Sequence, residues 1–293
     1  MSGLVIVGVD GSESSLAAVE VAAREARLRG ARLRVVHAFI WPTMHVPLGP
    51  SPLGPPEGGL RNAAERLVAE AVEQARAAAP EVDVSHAVVT GEPLTVLEAQ
   101  SRSADLVVVG SRGMGAFVGL LVGSTAVHLA AHGRCPVLVV REQPRTEGPI
   151  VLGIDGSAAG TAAIEFAFAE AALRKAPLLA LHVWNTRSER AYEGPGDPLT
   201  AVVVDRDHLR ETEQRLLDET VASWQEAFPQ VVLERRLVRS RIRPALIDVS
   251  REAQLVVVGA RGRGGFTGLL LGSVSQALLH HAHCPVTVVR GNE

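Results

Sequence analysis

The stretch VVVGSRGMGAFVGLLVGST, residues 107–125, returns as VVVGARGRGGFTGLLLGSV at residues 256–274. Each copy opens on an apolar run with no polar alternation, the pattern of a strand buried on both faces of a parallel sheet. Each run ends in G-x-x-G, and nine residues separate the second glycine from a Gly-Ser pair that opens a helical pattern. A strand, a glycine turn and a helix in this order belong to an open α/β sheet.

The repeat extends outward from this stretch. VIVGVDGS at 5–12 returns as IVLGIDGS at 150–157, VVH ending at His37 as ALH ending at His182, and RCPVLVVR at 134–141 as HCPVTVVR at 283–290. The register shift is 150 − 5 = 145 residues at the first strand and 256 − 107 = 149 at the glycine stretch, so the second copy gained 149 − 145 = 4 residues in between. The repeat covers both halves from end to end and marks a duplicated domain. The chain's 293 residues suit two domains of ordinary size. The boundary falls in the polar residues 142–148, which gives domains at 1–143 and 149–293.

In the first half the patterning predicts strands over 4–9, 33–39, 82–88, 106–110 and 137–140, alternating with helices over 14–29, 60–79, 93–103 and 124–132. This is an α/β fold of two tandem doubly wound five-stranded parallel-sheet domains with right-handed crossovers. Residues 42–59, rich in Pro and Gly, and the polar residues 185–197, which run into GPGDP, break the pattern after each second strand. A surface connection and a flap beside a ligand are both open readings of these segments.

Composition narrows the function. Hydrophobic residues are 47% and aromatics only 3%, so the expected cores are aliphatic. Net charge is −3 with no basic block, which argues against nucleic acid as a partner. Lys175 is the only lysine among the 29 Lys and Arg. Cys135 and Cys284 each precede a proline and an apolar run, which reads as small buried hydrophobes in a reducing, cytoplasmic protein. Residues 4–9 reach Asp10 too soon for a signal peptide, and residues 117–131 are too short to span a bilayer, so no membrane partner is expected.

The chemistry gathers at the glycines. Gly110, Ser111, Arg112 and Gly113, and their counterparts Gly259, Ala260, Arg261 and Gly262, close a strand where freed N–H groups form an anion-binding nest. Gly123 and Ser124, and Gly272 and Ser273, place a hydroxyl at a helix N-terminus that favours phosphate. Gly8 and Gly153 interrupt β-branched strands, a sign of close approach by a ligand or another backbone. Asp10 and Asp155 follow, either as acceptors for a ribose or adenine or as ordinary turn residues.

These residues carry a resemblance. Over nearly its whole length the chain resembles tandem universal stress proteins of the ATP-binding type, whose G-2x-G-9x-G-S signature both copies meet. The resemblance implies strand order 3-2-1-4-5, as in adenine nucleotide alpha hydrolase-like folds, and one ATP with Mg2+ per domain. Asp10 and Asp155 would sit at the adenosine end, and the backbone at Ala38 and Val183 would read the adenine edge. The loops would hold the triphosphate: Gly110 to Gly113 with Met114, Gly115, Gly123, Ser124 and Thr125, and Gly259 to Gly262 with Arg263, Gly264, Gly272, Ser273 and Val274. It also implies an intramolecular pseudo-dimer of the two halves, with a homodimer of the chain as a further step, and an unidentified protein partner that reads the nucleotide state. Two departures stand out: Gly91-Glu-Pro93 becomes Ser240-Arg-Ile242, and Asp105 becomes Gln254.

Other chemistries are less well supplied. No loop has the lysine of G-x-x-x-x-G-K-[ST], and no G-x-S-x-G or G-x-G-x-x-G is present at these loops. His128 and His132 lie four apart, but Ala277 replaces the first in the other copy and no glutamate completes a metal set in sequence. His280, His281 and His283 read as a helix end. A stress-response regulator or nucleotide-state sensor is therefore expected, with a slow ATPase or phosphotransferase on the same loops as the alternative and no catalytic residue assigned.

Overall fold

Val5, Ile6 and Val7 are fully buried, as are Ile150, Val151 and Leu152, because helices cover both faces of the sheet that these runs form. The computed structural model describes residues 3–40, 59–113, 122–141, 145–184, 206–263 and 270–291. The chain divides into two units, Met1–Pro144 and Arg145–Glu293.

The first unit runs β1 (Leu4–Gly8), α1 (Glu13–Arg29), β2 (Arg32–Phe39), α2 (Gly59–Ala78), β3 (Val84–Thr90), α3 (Pro93–Ser101), β4 (Leu106–Gly110), α4 (Ser124–His132) and β5 (Val137–Val140). All strand pairs are parallel, in the order β3-β2-β1-β4-β5. The second unit runs β6 (Ile150–Ile154), α5 (Thr161–Arg174), β7 (Leu178–Trp184), α6 (Arg206–Ala227), β8 (Leu233–Arg239), α7 (Ile242–Val249), β9 (Leu255–Gly259), α8 (Ser273–His281) and β10 (Val286–Val289). Its parallel order is β8-β7-β6-β9-β10, the same 3-2-1-4-5 arrangement. In each unit the first and second helices pack together, as do the third and fourth. The order reverses between the first and fourth strands, so the loops after β1 and β4, and after β6 and β9, open on one crevice at the carboxyl end of their sheet.

Details depart from the sequence reading for local reasons. The third strand starts at Val84 rather than 82 because the Val82 N–H closes a turn onto the Ala79 carbonyl at 3.1 Å. The helix expected over 93–103 stops at Ser101, whose Oγ accepts the Arg134 N–H at 3.0 Å. The first core is aliphatic apart from Phe39, buried at the end of β2. The second also buries Phe168 fully, its ring 5.8 Å from Phe228. The exchange of Asp105 for Gln254 keeps one task. Asp105 Oδ2 accepts the Leu4 N–H at 2.6 Å, whereas Gln254 donates to the Gly148 carbonyl at 2.7 Å and accepts from Arg174 at 3.1 Å. Both tie the start of the fourth strand to the chain entering the first. The segments at 42–58 and 185–197 lie outside the described residues.

Lys175, the one lysine, lies at the C-terminus of α5 before β7 enters the sheet, at the end opposite the glycine loops. Its φ is 51°, and its counterpart in the first unit is Gly30 with φ 58°. Left-handed backbone costs an L residue about 1–2 kcal/mol. Lys175→Gly should therefore raise the stability of the second domain by about 1 kcal/mol in urea unfolding. A loss of stability would mean that the lysine side chain holds this corner.

Candidate functional site

Each first strand ends in a tight Asp-Gly-Ser turn that needs glycine for its backbone, with φ 88° at Gly11 and 70° at Gly156. Asp10 Oδ1 accepts the Ser12 N–H at 3.0 Å and the Ser12 hydroxyl at 2.7 Å. Asp155 Oδ1 accepts the same pair from Ser157 at 2.9 and 2.7 Å. The turn-residue reading of both aspartates is thus met. Ser12 Oγ also accepts the Ser15 N–H at 3.2 Å and caps α1. In the register position of Ser15 the Gly160 N–H instead donates to the Ser157 carbonyl at 3.0 Å, closing a short 3-10 turn, Ala158–Gly160, and no side chain caps α5.

The second carboxylate oxygen reaches across the crevice. Asp155 Oδ2 accepts the Arg263 N–H at 2.8 Å, joining residues 108 apart. A Cβ on Gly262 would collide with this oxygen, and one on Gly113 would collide with Asp10 Oδ2. Neither glycine has a left-handed φ, so the pressure against a side chain at both positions comes from the carboxylate. At Gly110 a Cβ would lie 2.6 Å from the backbone of Ser14 in the first turn of α1. The Arg112 N–H donates to Ser14 Oγ at 3.3 Å and fixes the loop on the same turn. At Gly259 the nearest atom to a Cβ is the loop's own Arg261 oxygen, 3.0 Å away. At Gly8 and Gly153 the closest protein neighbour is a side chain rather than another backbone: Leu97 Cδ1 at 2.8 Å from a Cβ on Gly8, and Val258 Cγ1 at 3.0 Å from one on Gly153.

Gly123 differs from these. Its φ of −74° and ψ of 151° suit any residue, and a Cβ would find nothing nearer than 3.7 Å. Gly272 has φ −73° and ψ 156°, and its nearest contact would be the Ala260 oxygen at 3.3 Å. Each donates its N–H at 2.7 Å to the carbonyl of Ser111 or Ala260, which docks the helix start on the glycine loop. Ser111 and Ala260 are buried. No side chain caps α4 or α8. Ser124 and Ser273 are exposed at these starts, Thr125 and Val274 half-buried. Arg112 is exposed and Arg261 half-buried beside them. Met114, Gly115 and Gly264 lie outside the described residues.

Ala38 and Val183 sit near the carboxyl ends of β2 and β7, paired with Val89 and Val238. Beside them, His37 Nδ1 lies 2.8 Å from the Val9 carbonyl and His182 Nδ1 2.8 Å from the Ile154 carbonyl. A carbonyl only accepts, so each Nδ1 carries a proton. His182 Nε2 is also 2.7 Å from Glu213 Oε2, a buried pair that fastens α6 to β7. The first unit has Ala64 at the position of Glu213. Sequence reasoning missed this pair, and also Ser275, whose buried hydroxyl donates to the Gly259 carbonyl at 2.7 Å. The loop change from Gly91 to Ser240 is local: both N–H groups reach the end of the second strand, at Phe39 (3.0 Å) and Trp184 (3.1 Å).

His128 Nε2 meets Glu98 Oε2 at 3.2 Å, a partner that α3 supplies and the sequence did not reveal. His132 Nδ1 donates to the His128 carbonyl at 3.0 Å. Among the described residues no group of three or more His, Cys, Asp or Glu is arranged to hold a metal ion. Burial pushes the Cys135 thiol up to about 12, so it stays protonated, and Cys284 is fully buried. No described helix is long and apolar enough to cross a membrane.

Fold and loops together define a tandem pair of doubly wound α/β domains, each with a glycine loop and an uncapped helix start where the strand order reverses. The model of the universal stress protein family matches residues 1–141 and 148–290, and the chain belongs to that family. It is 39% identical to universal stress protein Rv1996 of Mycobacterium tuberculosis, over 98% of this chain and 94% of that protein. A universal stress protein of Mycolicibacterium smegmatis is 38% identical, over 98% of this chain and 96% of its own length. The crystal structure of a universal stress protein from Archaeoglobus fulgidus shares the fold with a TM-score of 0.70 at 18% identity, covering 99% of each chain.

The collision at Gly262 makes a testable double-mutant cycle. Gly262→Ala should cost the second domain about 1–3 kcal/mol in urea unfolding without any ligand. The cost should shrink in an Asp155→Ala background, with a coupling of at least about 0.5 kcal/mol. Strict additivity would show that the methyl group and the carboxylate do not meet.

Proposed function

We propose that each domain binds one ATP in the crevice between its first and fourth strands, and that the protein acts as a nucleotide-state sensor in a stress response. The observation that carries this reading is Gly123. Backbone packing explains glycine at 110, and side-chain ends crowd an added Cβ at 8, 113, 153 and 262. At 123, backbone angles and free space would accept any residue. Ser, Thr, Asp or Asn is the usual helix cap, and glycine there leaves the first-turn N–H groups open to an outside acceptor. A phosphate is the natural acceptor at such a helix start.

In this reading Gly113, Gly123, Ser124 and Thr125 hold the phosphates of one ATP, with Arg112 adding charge, and Gly262, Gly272, Ser273 and Val274 hold those of the other beside Arg261. Met114, Gly115 and Gly264 complete the loops. Asp10 and Asp155 stand at the adenosine end, and the backbone of Ala38 and Val183 faces the adenine edge. Mg2+ arrives with the triphosphate as its counter-ion. Turnover is disfavoured on chemical grounds. The only lysine is at the far end of the sheet, and one oxygen of each crevice aspartate already serves its own turn, so no general base is evident.

Calorimetry on nucleotide-free protein should give two ATP per chain. Gly123→Ala should reduce this to one while changing stability by less than about 1 kcal/mol. No binding in the wild type, or two sites surviving in the variant, would refute the reading. Phosphate release in a single turnover should be slower than about 1 s⁻¹; a faster rate would favour an ATPase.

A further inference from the structure

The two crevices are not equal in charge. Arg263 follows the second glycine of its loop, where the first copy has Met114 (263 − 149 = 114). Its backbone N–H is held by Asp155 Oδ2, so the root of the side chain is fixed to the turn after β6. Its guanidinium reaches back over that turn, with one Nη2 donating to the Gly156 carbonyl at 3.2 Å. This is a single bond to a neutral acceptor on an exposed residue, and it leaves most of the five guanidinium donors uncommitted to that contact.

A second observation points the same way. Arg239, Arg241 and Arg243 stand at the carboxyl end of β8 and the start of α7, where the first copy has Thr90, Glu92 and Leu94. All three arginines are exposed, and none forms an ion pair among the described residues. Arg239 lies over the Trp184 ring, 5.5 Å from its centroid, at the end of the strand that carries Val183. The three arginines stand at the carboxyl end of the edge strand β8, two strands from β6, and so add positive charge to the end of the sheet on which the β6–β9 crevice opens. Charge of one sign near a crevice raises the local potential for an anion.

Resting on the nucleotide reading above, we propose that Arg263 is a specificity-determining residue that makes the second site selective for the polyphosphate of its nucleotide, while the first site discriminates weakly by phosphate number. A phosphate oxygen is a stronger acceptor than the Gly156 carbonyl. The arm therefore transfers from the turn to the ligand, with its root already in place. Methionine in the first loop offers no such donor.

The test uses the full chain carrying Gly123→Ala, which leaves the second site to be titrated alone with ATP and with AMP. Adding Arg263→Met should weaken ATP about tenfold, the loss of one charge-assisted hydrogen bond, and AMP by less than about twofold. The reciprocal variant, Met114→Arg in a chain carrying Gly272→Ala, should strengthen ATP at the first site severalfold and leave AMP unchanged. Equal losses for ATP and AMP, or no change for either, would overturn the proposal. A wild-type chain that binds neither nucleotide would overturn the nucleotide reading itself, before any variant is compared.

Discussion

One carboxylate at the end of the first strand of the second domain holds its crevice together. In the second domain Asp155 gives Oδ1 to the turn that follows it and Oδ2 to an amide 108 residues later. A strand end, a helix start and a glycine loop are thereby fixed to one planar group. Hydrogen bonds to a charged acceptor are stronger than those between neutral groups, and this one anchors the place where the strand order reverses. Much else follows from that geometry. Glycine at 113 and 262 leaves room for the carboxylate, and glycine at 110 leaves room for the first turn of α1. The helix starts of α4 and α8 are then docked through the N–H groups of Gly123 and Gly272.

The duplicated sequence made the architecture legible. The runs at 4–9, 106–110 and 137–140 have no polar alternation, and all became strands of a parallel sheet, the first ending one residue early at Gly8. Helical spacing likewise located α1 and α4 within a residue of their ends. What the sequence concealed was long-range. Glycine in a strand announces close approach but not what approaches, and at Gly8 it was Leu97 from α3. The His182–Glu213 pair and the His128–Glu98 contact join residues about thirty apart in sequence, on elements whose faces meet only in the folded sheet. The third strand slipped two residues because a turn hydrogen bond at Val82 outweighed its β propensity.

The candidate site was legible in its positions and less so in its reasons. The G-2x-G-9x-G-S spacing pointed to glycines that would admit a ligand, yet most of them admit the protein itself. Gly123 remains, with nothing nearer than 3.7 Å to an added Cβ, whereas Gly272 has the Ala260 oxygen at 3.3 Å. That distinction separates glycines crowded by the protein from one that the fold alone leaves open. It also explains how the two copies can drift, to Ala260 from Ser111 and to Ser275 from Ala126, while the loop and helix start stay docked by the same backbone bonds. Drift has also given the second copy arginines at 239, 241, 243 and 263 where the first has Thr90, Glu92, Leu94 and Met114, so the two copies differ in charge at these positions.

The central claim is that the uncapped helix starts receive phosphate. Amide hydrogen exchange of the full chain, with and without saturating ATP, tests it most directly. The account predicts slowed exchange at residues 111–113 and 124–126 in the first domain and at 260–263 and 273–275 in the second, with the buried strands unchanged. Protection confined to other surfaces, or none at either helix start, would contradict it.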